Sequence, residues 1–448
     1  MIIIDRKSKI PLYEQIYNQI RADIVSEAVS RGSSLRPIRV LAAELSVSKN
    51  TVELAYKQLI SEGYISSKKG SGYYVEKINK FASDGVSVKK PEAGKDRKNC
   101  PVYDFSAEGV SSEEFEWKKW KKCMDEALYE EEYNFNGFKD CRGDINLRNS
   151  ILRYISDVRG VKCDIRQIVI CSGTLYAARD AVETVKKYTK GAGGNVSCDK
   201  ESEKHVFKIF ENEGYIPIEF DTGREYNILY ISPSHRYPLG VTMSLSERKM
   251  YIDYADSHNA FIIENDCDSE FVSCNERLPA VQALSTGDNV IYISSVSRIL
   301  SPNIRLAYMV LPSRLVDTYM DIHECYRTAV PVLHQRTLAK YIDMGYMHKH
   351  IRRLIRSNDY KLSIITRCLK KLENEGYIHI CGMPQGGYIA IKCDDLCDMT
   401  LKEYAAEKNL KLHYENGYYM IGFLAINEVD INEAADRLYK VVKEYYCR

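Results

Sequence analysis

The chain has 448 residues, of which 45% are apolar and 28% charged, with a formal net charge of +1. That length supports two or three domains and a sizeable core, and the composition excludes wholesale disorder, collagen-like repeats and a membrane bundle. The near-neutral charge excludes a global basic field, so any nucleic-acid surface has to be a local patch.

The opening "MIIIDRKSKIPLY" has no apolar stretch of signal-peptide length, and the fourteen cysteines show no CxxC spacing. Reduced thiols in a cytoplasmic protein, with no membrane span, are the expectation. The close pairs Cys393/Cys397 and Cys267/Cys274 lack histidine partners, so no metal site is expected.

In "PLYEQIYNQIRADIVSEAV" the residues Leu12, Ile16, Ile20 and Ile24 recur every fourth position, the pattern of an amphipathic helix entered at Pro11. "IRVLAAELSVSKNTVELAYKQLISEG" then divides into two helical patterns around a "SVS" turn with one buried valine. Ser48 is placed to cap the second helix and Gly63 to end it. "YISSKKGSGYYV" supplies two short strands, a wing. In such a helix-turn-helix the N-terminus of the second helix enters the major groove, which assigns Lys49, Asn50, Thr51 and Glu53 to phosphates or base edges. Arg39 and the wing residues Lys69 and Gly70 would contact the backbone. Residues 1–76 carry eleven Lys/Arg against eight Asp/Glu, too small an excess to separate a DNA-binding module from a protein-binding one.

The stretches "PLYEQIYNQIRADI", "IRVLAAELSVSKNTVELAYKQLISEGYI" and "KKGSGYYV" resemble the GntR-type winged-helix domain over essentially all of 1–76. Two departures are visible. "LRP" (Leu35, Arg36, Pro37) stands where that family has Leu-Pro-Ser, and Lys49 replaces its usual arginine, which could fork onto a guanine as lysine cannot.

Residues 77–102 lose periodicity and are rich in Lys, Asp, Gly and Ser, which predicts a flexible tether. From 103 to 448, strand-like runs such as "QIVICSG", "NILYISPS", "AFIIEND" and "NVIYISSVS" alternate with helical patterns. That order predicts a mainly parallel sheet with helices on both faces, and a closing amphipathic helix in "NEVDINEAADRLYKVVKEYY". In "VICSGTLYAARDA" a strand passes through Ser172, Gly173 and Thr174 straight into a helix, a natural but common anion site.

The segments "RGVKCDIRQIVICSGT", "YISPSHRYPLGVTMSLSERK", "AFIIENDCDSEFV", "LPAVQAL" and "VIYISSVSRILSPNIRLAYMVLP" resemble, in order and spacing, the aminotransferase-like domain of MocR-type regulators. The resemblance implies a winged helix-turn-helix joined to a large α/β fold type I aminotransferase-like domain, with a small C-terminal α/β subdomain. It also implies a homodimer with a pyridoxal phosphate site at its interface, where binding of the cofactor or an amino compound changes the grip on double-stranded DNA. Carried over by position, Ser172, Gly173, Thr174, Ser295, Ser297 and Arg305 would cradle the phosphate, and His235 fits the same site.

The positions that carry chemistry differ. Arg298 occupies the place of the lysine that attaches the cofactor, Asn265 that of the acid facing the pyridine nitrogen, and Cys267 that of a tyrosine. Glu203 replaces an aromatic, and Met420 the arginine that would bind a substrate carboxylate. Covalent attachment needs a neutral amine, whereas a guanidinium stays protonated, and no lysine occurs between Lys249 and Lys340. An amide at 265 cannot hold a pyridine nitrogen protonated as a carboxylate does. The expectation is therefore a DNA-binding regulator whose body dimerises and takes a small phosphate- or carboxylate-bearing ligand without covalent attachment. The alternatives are an active aminotransferase carrying a DNA-binding domain, and a ligand-free dimerising scaffold, with Arg298 paired to an internal acid such as Asp266 or Glu203 in an empty pocket. Asp266, Asp268 and Glu270 in "DCDSE" are expected to form a solvated turn.

Overall fold

Proline 11 ends the extended N-terminal segment, and the first helix, α1 (Leu12–Val25), begins directly after it. In this computed structural model the described residues are 2–6, 8, 10–68, 72–76, 103–106, 111, 113–129, 140–191, 193–198, 204–271, 278–394 and 399–447. The tether expected at 77–102 lies outside them, as do Lys69, Gly70 and Glu203. The chain forms two compact units, Met1–Lys95 and Asp96–Arg448.

In the first unit α1 is followed by α2 (Ile38–Glu44), α3 (Lys49–Ser61) and the antiparallel strands β1 (Ile65–Lys68) and β2 (Gly72–Val75). Ser48 caps α3 by accepting a hydrogen bond from the Thr51 N–H at 3.1 Å, and Gly63 follows the helix with φ +76°, a left-handed conformation that favours glycine. Ile16, Ile20 and Ile24 pack against Leu41, Val52, Ala55, Tyr56 and Leu59, with Ile65 and Val75 closing the core from the wing. Val47, expected to be buried in the turn, is only half-buried, because the turn is short and polar.

The second unit begins with β3 (Tyr103–Phe105), α4 (Trp117–Tyr129) and α5 (Ile145–Arg159). Strand and helix then alternate: β4 (Ile168–Cys171), α6 (Thr174–Tyr188), β5 (Asn195–Ser197), α7 (Lys204–Asn212), β6 (Ile216–Ile218), β7 (Ile228–Ile231), α8 (Leu245–His258), β8 (Phe261–Asn265), α9 (Val281–Leu284), β9 (Val290–Ser295) and β10 (Ala307–Val310). α10 (Val316–His323), α11 (Val332–Asp343) and the long α12 (Tyr346–Asn374) lead to β11 (His379–Gln385), β12 (Tyr388–Lys392), α13 (Leu401–Glu407), β13 (Leu410–Glu415), β14 (Tyr418–Gly422) and α14 (Ile431–Tyr446).

The large sheet runs β4-β10-β9-β8-β7-β5-β6 and is parallel except for β10, which is antiparallel to both neighbours. The link from β9 to β10 carries no crossover helix, so the chain can only turn back on itself there. Alternate residues of β4 face opposite layers. Ile168 and Ile170 join α5 in one core, and Val169 and Cys171 join α6 in the other. The small sheet runs β11-β12-β14-β13-β3, so Tyr103–Phe105 belongs with the C-terminal strands, where Phe105 packs beside Leu410, Leu412 and Tyr419. Among the described residues no helix is long and apolar enough to cross a membrane.

Topology alone assembles a site. β4, β7, β8 and β9 point the same way, so the turns after their carboxyl ends, at 172–174, 232–235, 266–268 and 296–298, share one edge of the sheet. Antiparallel β10 starts at that edge and brings Arg305 to it, which is where ligands sit in open α/β sheets.

Candidate functional site

In the first unit, the expected groove-reading residues lie at the start of α3. Lys49 and Asn50 are exposed, and Arg39 is exposed on α2. Among the described residues neither Arg39 nor Lys49 forms an ion pair, so both charges are available to phosphates. Thr51 is partly committed, since its hydroxyl lies 2.8 Å from Ser48 Oγ in the cap, and Glu53 pairs with Lys57 at 2.8 Å.

At the sheet edge of the second unit, Ser172, Gly173 and Thr174 lead from β4 into α6. Gly173 has φ +136°, and a Cβ there would stand 3.2 Å from an Arg305 guanidinium nitrogen. Glycine therefore permits the close approach of guanidinium to helix N-terminus that an anion needs. Arg305 is exposed and forms no ion pair among the described residues.

Ser295 and Ser297 act on the backbone around that arginine. Ser297 Oγ donates to the Ile304 carbonyl at 2.8 Å and Ser295 Oγ to the Leu306 carbonyl at 3.2 Å, bracketing Arg305 on both sides. Ser295 Oγ also accepts from the Ser297 N–H at 3.1 Å. The two serines thus hold the turn that presents the guanidinium.

Arg298 lies beyond Ser297 and forms an ion pair with Asp268. Of the acids expected as its partners, Asp266 is not the one it meets here. Glu203 falls outside the described residues, and Asp266 is fully engaged elsewhere. Arg159 donates to Asp266 through Nε at 2.6 Å and through a terminal nitrogen at 2.9 Å, Ser234 Oγ at 2.6 Å and Tyr292 OH at 2.8 Å. Burial, the largest single influence, would loosen the proton on Arg159, but the Asp266 charge, Tyr292, the hydrogen bonds to Asp266 and the Glu264 charge together outweigh it and raise the pKa.

The expected solvated turn is also overturned, because Asp266, Asp268 and Glu270 are all buried. Asp266 and Asp268 have the cationic partners Arg159 and Arg298, and Glu270 accepts from Tyr154 OH at 3.3 Å. His235 shares Asp268, with Nδ1 3.9 Å from the same carboxylate, and is buried edge-on to Tyr388 with ring centroids 4.9 Å apart. Gly240 and Gly386 make room for it, since a Cβ would come within 3.0 and 2.7 Å of His235 Nε2.

Asn265 donates to Tyr230 OH at 2.9 Å, its side-chain carbonyl accepts from the Cys267 N–H at 3.4 Å, and both residues are half-buried. Met420 is buried on β14 beside Tyr388, Ala390 and Tyr418, and its thioether offers no charge to a carboxylate.

The donor set therefore divides. Ser172, Gly173, Thr174 and Arg305 fit a phosphate. Arg298, Asn265, Cys267 and Met420 do not fit a covalently held pyridoxal phosphate, and no chemical step is derived through it. Sequence reasoning missed Asp268 as the partner of Arg298 and Arg159 as the partner of Asp266. The first was accessible as one of three acids in "DCDSE". The second joins residues more than a hundred positions apart and left no local signal.

Residues 12–75 match the family described as bacterial regulatory proteins, gntR family. A Bacillus subtilis protein named as the uncharacterized HTH-type transcriptional regulator YhdI is 30% identical over 87% of this chain and 84% of its own length. The probable rhizopine catabolism regulatory protein MocR of Rhizobium meliloti is 26% identical over 80% of this chain and 76% of its own. Among solved structures, an archaeal alanine:glyoxylate aminotransferase superposes with a TM-score of 0.66 at 17% identity, covering 78% of this chain and 92% of its own. At that identity it speaks for the fold alone.

Proposed function

The chain belongs to the MocR-type GntR regulators, DNA-binding transcriptional regulators with an aminotransferase-like domain, and from that premise we propose that its body is a non-covalent sensor. In this reading two copies pair through the body. Each binds duplex DNA through Arg39, Lys49, Asn50 and Thr51, with Lys69 and Gly70 of the wing. A phosphate-bearing ligand, pyridoxal phosphate or a relative, rests on Ser172, Gly173, Thr174 and Arg305, near His235 and Asn265. A place in the cytoplasm, beside the chromosome, goes with that role.

The observation that carries the reading is the contrast between two arginines on one turn. Arg298 is neutralised by Asp268, while Arg305 stands exposed against Gly173 with no acid paired to it among the described residues. A guanidinium kept at a helix N-terminus without a carboxylate suits an anion supplied from outside.

A second reading has its own support. Ser295, Ser297 and Arg298 are all satisfied internally, as they would be in a dimerising scaffold without a ligand.

The test is fluorescence anisotropy of labelled operator-length duplex with the full chain, with and without pyridoxal phosphate, alongside calorimetry of the ligand alone. Ligand binding that shifts the DNA isotherm, with no cofactor covalently fixed by borohydride, supports the sensor. DNA binding with no heat from the ligand at millimolar concentration, a scale of about 4 kcal/mol, supports the scaffold. Visible absorbance that borohydride abolishes, with a labelled lysine recovered on digestion, would return the aminotransferase.

A further inference from the structure

Away from that edge, α6 and α10 bring three potential metal ligands together. Asp180 and Glu183 stand three residues apart on one face of α6, and His323 ends α10. One oxygen of each carboxylate and one imidazole nitrogen all lie within 4.8 Å of one another.

The cluster is poorly compensated. His323 is only 6% exposed, its Nε2 is buried without a hydrogen-bond partner among the described residues, and Tyr319 stacks on its ring at 4.2 Å, fixing its plane. Burial pushes its pKa below the usual imidazole value and favours the neutral, ligating form. The Asp180 side chain is 13% exposed and has Arg179 at 2.7 Å, whereas half-buried Glu183 forms no ion pair among the described residues. Two carboxylates and one guanidinium leave a net negative charge beside an imidazole nitrogen that has no hydrogen-bond partner among the described residues, and leaving a buried polar group unmet is costly.

We propose that Asp180, Glu183 and His323 form a mononuclear site for a first-row divalent metal ion such as Mn2+ or Zn2+, joining α6 to α10. Two carboxylate oxygens and one imidazole nitrogen are a mixed donor set for such ions. Ligand bonds of about 2.0–2.2 Å bring donors on one ion to roughly 3–4 Å apart, so the site closes by small side-chain movements. Arg179 offsets Asp180 alone and leaves Glu183 and His323 to the ion. The sequence conceals this site because His323 is remote from the two acids along the chain. The ion would also fix the helix that follows directly on Gly173.

The full-length protein, stripped with chelator and desalted, is titrated with MnCl2, and free Mn2+ is read by electron paramagnetic resonance. Mn2+ is the probe because thiolates, of which this chain has many, hold it poorly. One ion per chain at micromolar affinity is expected, displaced by Zn2+ and raising the melting temperature. E183Q and H323Q should each weaken it by roughly tenfold or more, whereas H379Q, at the separate exposed His379–Glu373 pair, should not. Saturation only at millimolar Mn2+, or undiminished binding in E183Q, overturns the proposal. Should H323Q fail to fold, E183Q decides, because Glu183 is partly exposed.

Discussion

Asp268 pairs with Arg298 at the position where its relatives' resemblance calls for a cofactor-bearing lysine, and His235 lies against the same carboxylate. The second charge that could face a phosphate is thereby turned inward. D268N should release it. Affinity for pyridoxal phosphate is expected to rise about tenfold, while stability falls by about 1–3 kcal/mol as the buried pair is broken. Calorimetry and urea unfolding measure the two, and unchanged affinity in a folded D268N would show that Arg298 does not face the ligand.

Arg305 is the converse case. R305M should cost ligand affinity by about 1.5–3 kcal/mol, because a charge-assisted hydrogen bond to phosphate is lost. Stability should change by no more than about 0.5 kcal/mol, since the side chain is exposed and unpaired among the described residues. A ligand that binds R305M as tightly as wild type does not use Gly173 and its helix N-terminus.

R298K returns an amine to the turn, but beside Asp268 it should stay protonated and unreactive near neutral pH, because an opposite charge raises a lysine pKa. R298K with pyridoxal phosphate should therefore develop a visible band that borohydride abolishes, leaving the cofactor covalently fixed, only at alkaline pH, and R298K/D268N at lower pH. Identical pH profiles for the two proteins would remove Asp268 from the account.

How much of this was legible in the sequence follows from how local each signal is. The helices of the first unit, the Ser48 cap, the β4-to-α6 turn and the closing helix were readable because periodicity and caps act within a few residues. The antiparallel direction of β10 was not, because an apolar run carries no polarity. Nor was the pairing of β3 with β13 at the far end of the chain. At the site the phosphate-facing residues came from a resemblance, while the ion pairs that decide their charge state, Arg298 with Asp268 and Arg159 with Asp266, are long-range contacts. An acidic stretch such as "DCDSE" looks solvated until its cations are placed.

On the DNA side, Lys49 and Arg39 should behave as phosphate contacts. K49A and R39A are each expected to weaken binding to all duplex sequences alike and to lower the slope of log K against log salt by about 0.9. S48A acts differently. Losing the cap of α3 should cost about 1 kcal/mol of winged-helix stability and loosen Thr51, whose hydroxyl it holds. Anisotropy across a salt series separates the two effects, and a K49A slope equal to wild type would place that lysine off the DNA.

The last prediction concerns pH and the turn that carries Arg298. His350 is 1% exposed, and its Nε2 donates to the carbonyl of Ile299 at 2.7 Å, so Nδ1 is the unprotonated nitrogen. Nδ1 is buried without a partner among the described residues, and Phe115 stands edge-on to the ring at 5.6 Å. Protonation there would bury an unpaired charge, and burial accordingly lowers the His350 pKa below its usual 6.5. Below 6.5 the unfolded chain takes up the proton more readily than the folded one, so stability is full above that pH and falls as pH drops beneath it. His323, depressed for the same reason, adds to the slope. Carboxylates whose pKa values are lowered, such as Asp140 and Asp104, act only at more acid pH, around and below about 4. Buried Glu264, pushed up to about 7 by burial, takes up its proton more readily folded than unfolded and so opposes the histidine slope in the same window, which makes the difference between wild type and a His350 variant the informative quantity. Urea unfolding between pH 7 and 5 should show the fall in pH acting less favourably on wild type than on H350Q, Glu264 being common to both. A parallel change in both proteins would mean that His350 is not the proton acceptor beneath Ile299 and the neighbouring Arg298.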